Sequence, residues 1–113
     1  MAVFTPVTLE EITPRIATNF VIGDAILLKG IHGGIENSNF FLNCQDNGQV
    51  KEYVLTIFER LSFTQLPYYL ELMLHLANQG IPVPKPIANR QGALVIEIKG
   101  KPASIVTKLP GQS

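Results

Sequence analysis

The sequence predicts an α+β domain made of a five-stranded antiparallel sheet, one long helix packed against it and a short N-terminal helix. Three observations lead to this fold class. Short apolar runs alternate with turns rich in Gly, Asn and Pro, residues 65–79 carry apolar side chains at helical spacing, and hydrophobic residues make up 46% of the 113-residue chain. A chain of this length fits one domain with its own core.

The N-terminal helix is predicted over residues 8–19. Thr8 and Glu11 have the spacing of a capping box, in which the side chain of each residue bonds the backbone N–H of the other. Pro14 suits the first turn of a helix better than its middle, because proline lacks the N–H that an interior turn uses. The segment therefore holds either one short helix or two abutting turns.

The first three strands are predicted before the long helix. The apolar runs "AILLKGI" at 25–31 and "NFFLNC" at 39–44 flank a glycine-containing loop and should pair as a hairpin. The segment "QDNGQ" at 45–49 contains Asn-Gly, which favours a two-residue turn because both positions tolerate positive φ. This turn leads into a third strand, "EYVLTIFE", at 52–59.

The long helix is predicted over residues 65–79. Its apolar side chains recur at the spacing of one helical face, and the stripe formed by Tyr69, Leu70, Met73 and Leu76 should lie in the core. Gly80 is expected to end this helix, because glycine readily adopts the left-handed conformation found after a helix.

The last two strands are predicted near the C-terminal end of the sequence. The prolines of "IPVPKP" at 81–86 indicate an extended connector, since each of them lacks an N–H. The turn signals "NRQG" and "KGKP" then bound two apolar runs, "ALVIEI" at 93–98 and "ASIVTKL" at 103–109. These runs complete the five strands.

Composition excludes several classes of function. Nine basic residues balance nine acidic ones and are scattered, so no basic stripe is present for a nucleic acid or an anionic membrane. The single cysteine, Cys44, fits a packing role in a reducing compartment, and His32 and His75 lack the companions of a metal site. Without a membrane-spanning run or a secretory signal, the chain is predicted to be cytoplasmic.

The loop "GIHGGIENSNF" between the first two strands has two interpretations. Its glycines allow positive φ and close approach of the backbone to a ligand, so it is either a structural turn or a loop that holds phosphate. The pattern alone favours the turn. A glycine-rich hairpin followed by a strand and a helix is, however, the order of a kinase small lobe, where the hairpin covers nucleotide phosphates.

Longer phrases carry a more specific resemblance. They are "LLKGIHGGIENSNFFL", "EYVLTIFERL", "LPYYLELMLHLANQGIPVPKPI" and "GKPASIVTKLPG". In these phrases the sequence resembles the bacterial homoserine kinases, which belong to the aminoglycoside phosphotransferase-like kinases. The resemblance implies transfer of the γ-phosphoryl group of ATP, with Mg2+, to L-homoserine, giving O-phosphohomoserine on the route to threonine.

The resemblance implies that the glycine loop covers the phosphates. Backbone amides of Gly33 and Gly34 would donate in a concave nest, and Asn37, Ser38 and Asn39 could add side-chain donors. Turn chemistry is the alternative, because Asn and Ser readily bond to their own backbone. Glu36 fits this role least, since a carboxylate repels phosphate.

Two further positions depart from the kinase pattern or fit it ambiguously. Thr56 stands where such kinases place a lysine or arginine; its hydroxyl could donate one hydrogen bond, but a plain strand residue is the simpler role. Lys29 or Arg60 could supply the missing cation, or could be surface charges. Glu71 takes the position of the helix carboxylate that pairs with that lysine, yet its neighbours Tyr68, His75 and Asn78 also describe a solvated helix face.

The adenine is expected against the sheet, at the segment that leaves the last strand. Val106, Lys108 and Leu109 are the candidates there, the last two through backbone groups. The resemblance covers only an N-terminal, nucleotide-binding lobe over 1–113, with the catalytic residues and the magnesium ligands in an absent C-terminal lobe. The chain alone is therefore predicted to be inactive and to be a fragment of a longer enzyme, or else an independent small domain.

Two rival functions stay open. One is a non-catalytic protein-interaction module, and the other is a pseudokinase-type regulator that binds nucleotide. An isolated N-terminal lobe should expose the apolar surface that a second lobe would cover, and such a surface predicts self-association.

Overall fold

The computed structural model describes residues 7–31 and 37–108. Two helices and five strands follow one another as α1 (Leu9–Asn19), β1 (Asp24–Gly30), β2 (Asn37–Asp46), β3 (Gln49–Phe58), α2 (Leu66–Asn78), β4 (Ile96–Ile98) and β5 (Lys101–Thr107). The strands form one sheet in the order β1-β2-β3-β5-β4, with every pair antiparallel. The predicted α+β fold is confirmed.

Helix α1 begins with the predicted capping box. The Glu11 N–H donates to Thr8 Oγ1 over 3.2 Å, and the Thr8 N–H donates to Glu11 Oε1 over 2.9 Å. Pro14 lies inside the helix, so the segment is one continuous helix and not two turns. The helix ends where the extended residue Phe20 donates its N–H to the carbonyl of Ile16 over 2.9 Å.

Two tight turns fix the registers of the sheet. Asn47 and Gly48, with φ of 53° and 78°, join β2 to β3 and leave Asp46 paired with Gln49. Lys99 and Gly100, with φ of 51° and 81°, join β4 to β5 in the same way. Positive φ at both central residues defines the turn whose twist matches the flanking strands. Both predicted turns are confirmed.

Strand β4 is shorter than the predicted strand at 93–98, and it begins at Ile96. Asn89 explains the difference, because its Oδ1 accepts the N–H groups of Gln91 and Ala93, each over 2.9 Å, and its own N–H donates to the carbonyl of Ala93. Backbone groups engaged in this loop cannot also pair in a sheet. Leu94 and Val95 instead pack against the α2 cluster.

Helix α2 confirms the predicted long helix and, except for Tyr69, its predicted apolar stripe. Leu70 is buried with Leu66 against Phe58, and Met73 packs against this cluster, whereas Tyr69 is 50% exposed. The predicted stop is confirmed: Gly80, at φ 86°, donates to the carbonyl of Ala77, and the next N–H donates to Leu76, as in a Schellman motif. The core-facing side of α2 is therefore rotated away from Tyr69.

The main core lies between the sheet and α1. On that side, which we call the helix-1 face, Phe40, Leu42, Leu55 and Ile105 are among the buried side chains that pack with α1. Because side chains alternate along a strand, the residues between these point to the opposite side, which we call the second face. The second face carries the residues of interest for function.

Candidate functional site

The second face contains two neighbouring rows of side chains that run across the strands. Asn39, Thr56 and Ser104 are paired in register across β2, β3 and β5 and form a polar row. One step along the strands, the register pairs Phe41, Val54 and Val106, which form an apolar row. A flat apolar surface thus lies beside a line of hydroxyl and amide groups.

One hydrogen bond links two side chains of the polar row. The Thr56 hydroxyl donates to Asn39 Oδ1 over 2.8 Å. The amide nitrogen of Asn39 lies 3.5 Å from the carbonyl of Asn37 at the start of β2. Ser104, the third member of the row, is only 1% exposed. The structure therefore brings the predicted residues Asn37, Asn39 and Thr56 together.

Ser38 lies on the other side of the sheet, and its predicted role as a side-chain phosphate donor is corrected. Its side chain is fully buried on the helix-1 face, and its Oγ donates to Glu59 Oε2 over 2.8 Å. The other carboxylate oxygen of Glu59 lies 2.5 Å from Lys101 Nζ. Strand alternation forces this result, because Ser38 lies between two residues that point to the second face.

Glu59 and Lys101 were not identified from the sequence as important residues. The Glu59 side chain is 13% exposed and binds both Ser38 and Lys101, so it connects β2, the end of β3 and the start of β5. The alternation of side chains along β3 could have identified Glu59, because Glu59 continues the series of Leu55 and Ile57 and so points to the helix-1 face. A carboxylate there requires polar partners.

Two predicted residues lie at the apolar row. Val106 is 9% exposed within this row. Lys108 lies just after the end of β5, and its Nζ lies 5.2 Å from the centroid of the Phe41 ring and 3.1 Å from Glu52 Oε2. A cation over an aromatic ring and next to a carboxylate is held at one place, so Lys108 marks the edge of the apolar row.

The alternative cations lie away from the polar row. Lys29 is exposed on β1 and is paired with Phe41, which places it beside the apolar row. Arg60 is exposed beyond the end of β3. Neither residue lies in the polar row, where Thr56 is the member from β3.

Glu71 borders a separate pocket. This pocket has a volume of about 170 Å3 and is lined by Glu71 and Pro67 of α2 and by residues 92–95. Glu71, Tyr68, His75 and Asn78 are all exposed, as expected for a solvated helix face. The Thr56 hydroxyl donates its one proton to Asn39 and not to Glu71.

Several candidate residues lie outside the described ranges, namely His32, Gly33, Gly34, Glu36 and Leu109. Within residues 7–31 and 37–108, no group of three or more His, Cys, Asp or Glu could hold a metal ion. In the same ranges no helix has the length and apolarity needed to cross a membrane.

Cys44 has the packing role that the sequence predicted. The thiol is fully buried on the helix-1 face, and burial, followed by the charge of Asp24, raises its pKa to about 11. At neutral pH the sulfur is therefore protonated and is a poor nucleophile.

A model of the phosphotransferase enzyme family matches residues 27–113. The chain belongs to the phosphotransferase enzyme family. The match begins in β1 and includes both rows of the second face. The polar and apolar rows are therefore features of the phosphotransferase part of this sequence.

Homoserine kinases are among the similar proteins. Those of Cupriavidus taiwanensis and a Janthinobacterium species are 60% and 57% identical over all 113 residues, which make up 34% of each relative. That of Burkholderia cenocepacia is 52% identical over 98% of this chain and 32% of its own length. The chain thus spans about a third of the length of the curated relatives it matches.

A solved phosphotransferase shares the fold. The crystal structure of a spectinomycin phosphotransferase in complex with ADP and spectinomycin superimposes with a TM-score of 0.70, covering 94% of this chain and 31% of that one. The sequence identity is 14%, so this likeness supports the kinase-like small-lobe fold alone.

Proposed function

We propose that the chain forms the ATP-binding lobe of a homoserine kinase, an enzyme that transfers the γ-phosphoryl group of ATP to the side-chain hydroxyl of L-homoserine. The observation that carries this proposal is 60% identity, over the whole chain, to the homoserine kinase of Cupriavidus taiwanensis. The product would be O-phosphohomoserine, made in the cytoplasm on the route to threonine. The whole enzyme would act on homoserine, and this lobe would hold the nucleotide.

The geometry of the second face supports a nucleotide site with two parts, one for the adenine ring and one for the phosphates. An adenine ring needs a flat apolar surface, which the row of Phe41, Val54 and Val106 provides, with backbone donors and acceptors at residues 108 and 109. Phosphates need N–H donors, which the side-chain amides of Asn39 and Asn37 and the backbone of Gly33 and Gly34 would supply. Such positioning accounts for most of the rate enhancement in phosphoryl transfer.

Magnesium fits the proposed reaction but not the described residues of this chain. Mg2+ prefers carboxylate oxygens and neutralises charge on the transferred phosphoryl group. The described residues contain no cluster able to hold a metal ion, so we assign its ligands to a part of the enzyme outside them. The same holds for the carboxylate that orients the attacking hydroxyl, and the chain alone should bind ATP without transferring phosphate.

A chimera tests the proposal. This chain would replace the matching third of the Cupriavidus taiwanensis homoserine kinase, and ADP formation would be followed with Mg-ATP and L-homoserine. We expect the chimera to be active with L-homoserine, the unfused chain to form no product, and both to bind Mg-ATP. A folded chimera that binds ATP but stays inactive would contradict the kinase assignment and favour the pseudokinase-type regulator.

The protein-interaction module is a second candidate because of one feature of the surface. Five large apolar side chains of α2 and the segment before it are exposed, namely Leu61, Phe63, Tyr68, Tyr69 and Leu72. Exposed apolar patches commonly mark contact surfaces. A chain that associates with itself or with another protein, but shows no amide shifts with millimolar ATP, would favour this alternative.

A further inference from the structure

The hydrogen bond between Thr56 and Asn39 fixes which groups the polar row offers to a ligand. A hydroxyl has one proton, and Thr56 donates it to Asn39 Oδ1 over 2.8 Å. The carbonyl end of the Asn39 carboxamide is therefore engaged. Its amide nitrogen carries two protons, and the carbonyl of Asn37, at 3.5 Å, lies at the limit of hydrogen-bonding distance. The Asn39 side chain is thus presented as an N–H donor.

The position of Asn39 places this donor where β1 and β2 meet. The N–H of Ile31 donates to the carbonyl of Asn39 over 2.8 Å, so the end of β1 and the start of β2 are joined at this point. Residues 32–36 connect those two ends. The Asn39 amide therefore lies on the second face, near the end of β1 and next to the apolar row.

The polar row is uncharged in the part of the chain that the structure describes. It consists of one amide and two hydroxyls, from Asn39, Thr56 and Ser104. Two lysines near this end of the sheet are engaged elsewhere, because Lys108 contacts Glu52 and Phe41 at the apolar row and Lys101 pairs with Glu59 on the helix-1 face. Lys29 is paired with Phe41 and lies beside the apolar row. A ligand oxygen at Asn39 would therefore meet a neutral donor.

We propose that Thr56 is a positioning residue that turns the Asn39 carboxamide so that its NH2 group donates to a phosphate oxygen of the bound nucleotide. The Thr56–Asn39 pair thereby grips phosphate without a cation on β3. This inference rests on the proposed function, since it takes the ligand to be ATP. It predicts that the pair contributes to binding of the triphosphate and contributes nothing to binding of adenosine.

The test compares ATP with adenosine on the same variants. The 113-residue chain would be titrated with Mg-ATP and separately with adenosine, and affinities would be taken from backbone amide shifts. Thr56→Val removes the hydroxyl at nearly constant shape, and we expect about fivefold weaker Mg-ATP binding, the loss typical of one hydrogen bond between neutral groups. Thr56→Ser restores the hydroxyl and should restore the affinity. Adenosine binding should be unchanged in both.

A charge variant supplies an independent measurement. Asn39→Asp replaces the donor by a carboxylate oxygen, and repulsion should weaken Mg-ATP binding by about tenfold or more. Asn43→Asp is the matched control, because Asn43 lies four residues further along β2 on the same face, about 13 Å away. Thr13→Val on α1 controls for the loss of a threonine hydroxyl elsewhere. Both controls should bind Mg-ATP within about twofold of the parent chain.

The outcomes distinguish failure of this inference from failure of the proposed function. If the parent chain binds neither Mg-ATP nor adenosine, the proposed function fails and this inference fails with it. If the parent binds Mg-ATP, and Thr56→Val weakens Mg-ATP and adenosine binding equally or changes neither, only this inference fails. A selective loss of Mg-ATP affinity that Thr56→Ser reverses is the result that supports it.

Discussion

Gly23 sits directly before β1 in a conformation that a larger residue could not adopt. Its φ is +96°, and a Cβ placed there would lie 2.3 Å from the carbonyl oxygen of Gln45. We expect Gly23→Ala to lower the free energy of unfolding by about 3 kcal/mol, through backbone strain and this clash together. Urea unfolding measures the loss.

Gly92 provides the matched control for that substitution. It has a similar φ of +83° but open space where the Cβ would be. Gly92→Ala should therefore cost only the backbone strain, about 1 kcal/mol. Equal losses of unfolding free energy in the two variants would show that the close contact between Gln45 and Gly23 does not affect stability.

The buried thiol of Cys44 should make stability fall at alkaline pH. Its pKa rises from 9.0 to about 11 on folding, so between these values the unfolded chain releases a proton that the folded chain keeps. The stabilisation is complete below pH 9 and is lost as the pH rises towards 11. Tyr53, whose pKa is raised chiefly by burial and then by Cys44 and Asp46, acts in the same direction.

Unfolding by urea between pH 8 and 11 measures this dependence. Cys44→Ala should flatten the slope but leave the share due to Tyr53. Alkylation by iodoacetamide at pH 8 should be slow in the folded chain and fast in urea. Rapid alkylation of the folded chain would contradict the buried position of the thiol.

At the level of single site residues, strand periodicity decides on which face each predicted residue lies. Asn37 and Asn39 were predicted in the glycine loop and Thr56 on the third strand, and cross-strand pairing places all three on one face. Ser38 was placed with them because it is their neighbour in sequence, but a period of two sends it to the opposite face. Glu59 was missed because its partners, Ser38 and Lys101, are distant in sequence.

Helix α1 depends on its capping box, since the first turn of a helix has unpaired N–H groups. Thr8→Ala removes the acceptor for the Glu11 N–H and should cost about 1 kcal/mol in the free energy of unfolding. Thermal unfolding at pH 7 measures this cost. Thr18→Ala, an exposed change near the other end of the helix, is the control and should cost less.

The capping box of α1 should also make the stability of the protein depend on pH under acidic conditions. The pKa of Glu11 is lowered, first by the hydrogen bond from the Thr8 backbone and then by Lys99. A lowered pKa means that the stabilisation is present above the unfolded value and is lost as the pH falls through the folded one. Glu11→Gln should therefore reduce the dependence of stability on pH below about pH 5, and an unchanged acid profile would contradict it.

At the level of elements, the predictions held where local chemistry decides the structure. Asn47-Gly48 and Lys99-Gly100 form tight turns, and Gly80 ends α2, because each needs a positive φ. The predictions failed where a contact between residues distant in sequence competes with the local pattern. The run 93–98 has the pattern of a strand, but the Asn89 side chain accepts the N–H of Ala93 and holds it in a loop. Packing of α2 against Phe58 turns the helix so that Tyr69 faces solvent.

At the level of the whole molecule, self-association through exposed apolar surface stays a prediction. Tyr69 and Leu72 are each 50% exposed on α2. Sedimentation at high micromolar concentration should detect dimers or larger species, and Tyr69→Gln with Leu72→Gln should shift them towards monomer because less apolar area is buried. Val21→Ser, at a 74% exposed position away from α2, is the control. A strict monomer in the parent chain would contradict the prediction.

The order of strands in the sheet could not be predicted from the sequence. Five antiparallel strands were predicted, but α2 and the extended connector intervene between β3 and the last hairpin. The hairpin can then dock on β3 by either strand, and the choice of β5 rests on packing of Ala103 and Ile105 beside Leu55 and Ile57. Such tertiary preferences are not encoded in local pattern.

Strand β5 has hydrogen-bonding neighbours on both sides. β3 pairs with one edge, and the other edge is shared by β4 and by the connector, where the Ile87 N–H donates to Ile105 and the Thr107 N–H donates to Lys85. Amide protons of β5 should therefore be among the last to exchange with deuterated water. Lys108 directly follows β5, so its backbone is attached to a strand that opens slowly. A purine bound beside Lys108 would therefore meet backbone groups at fixed positions.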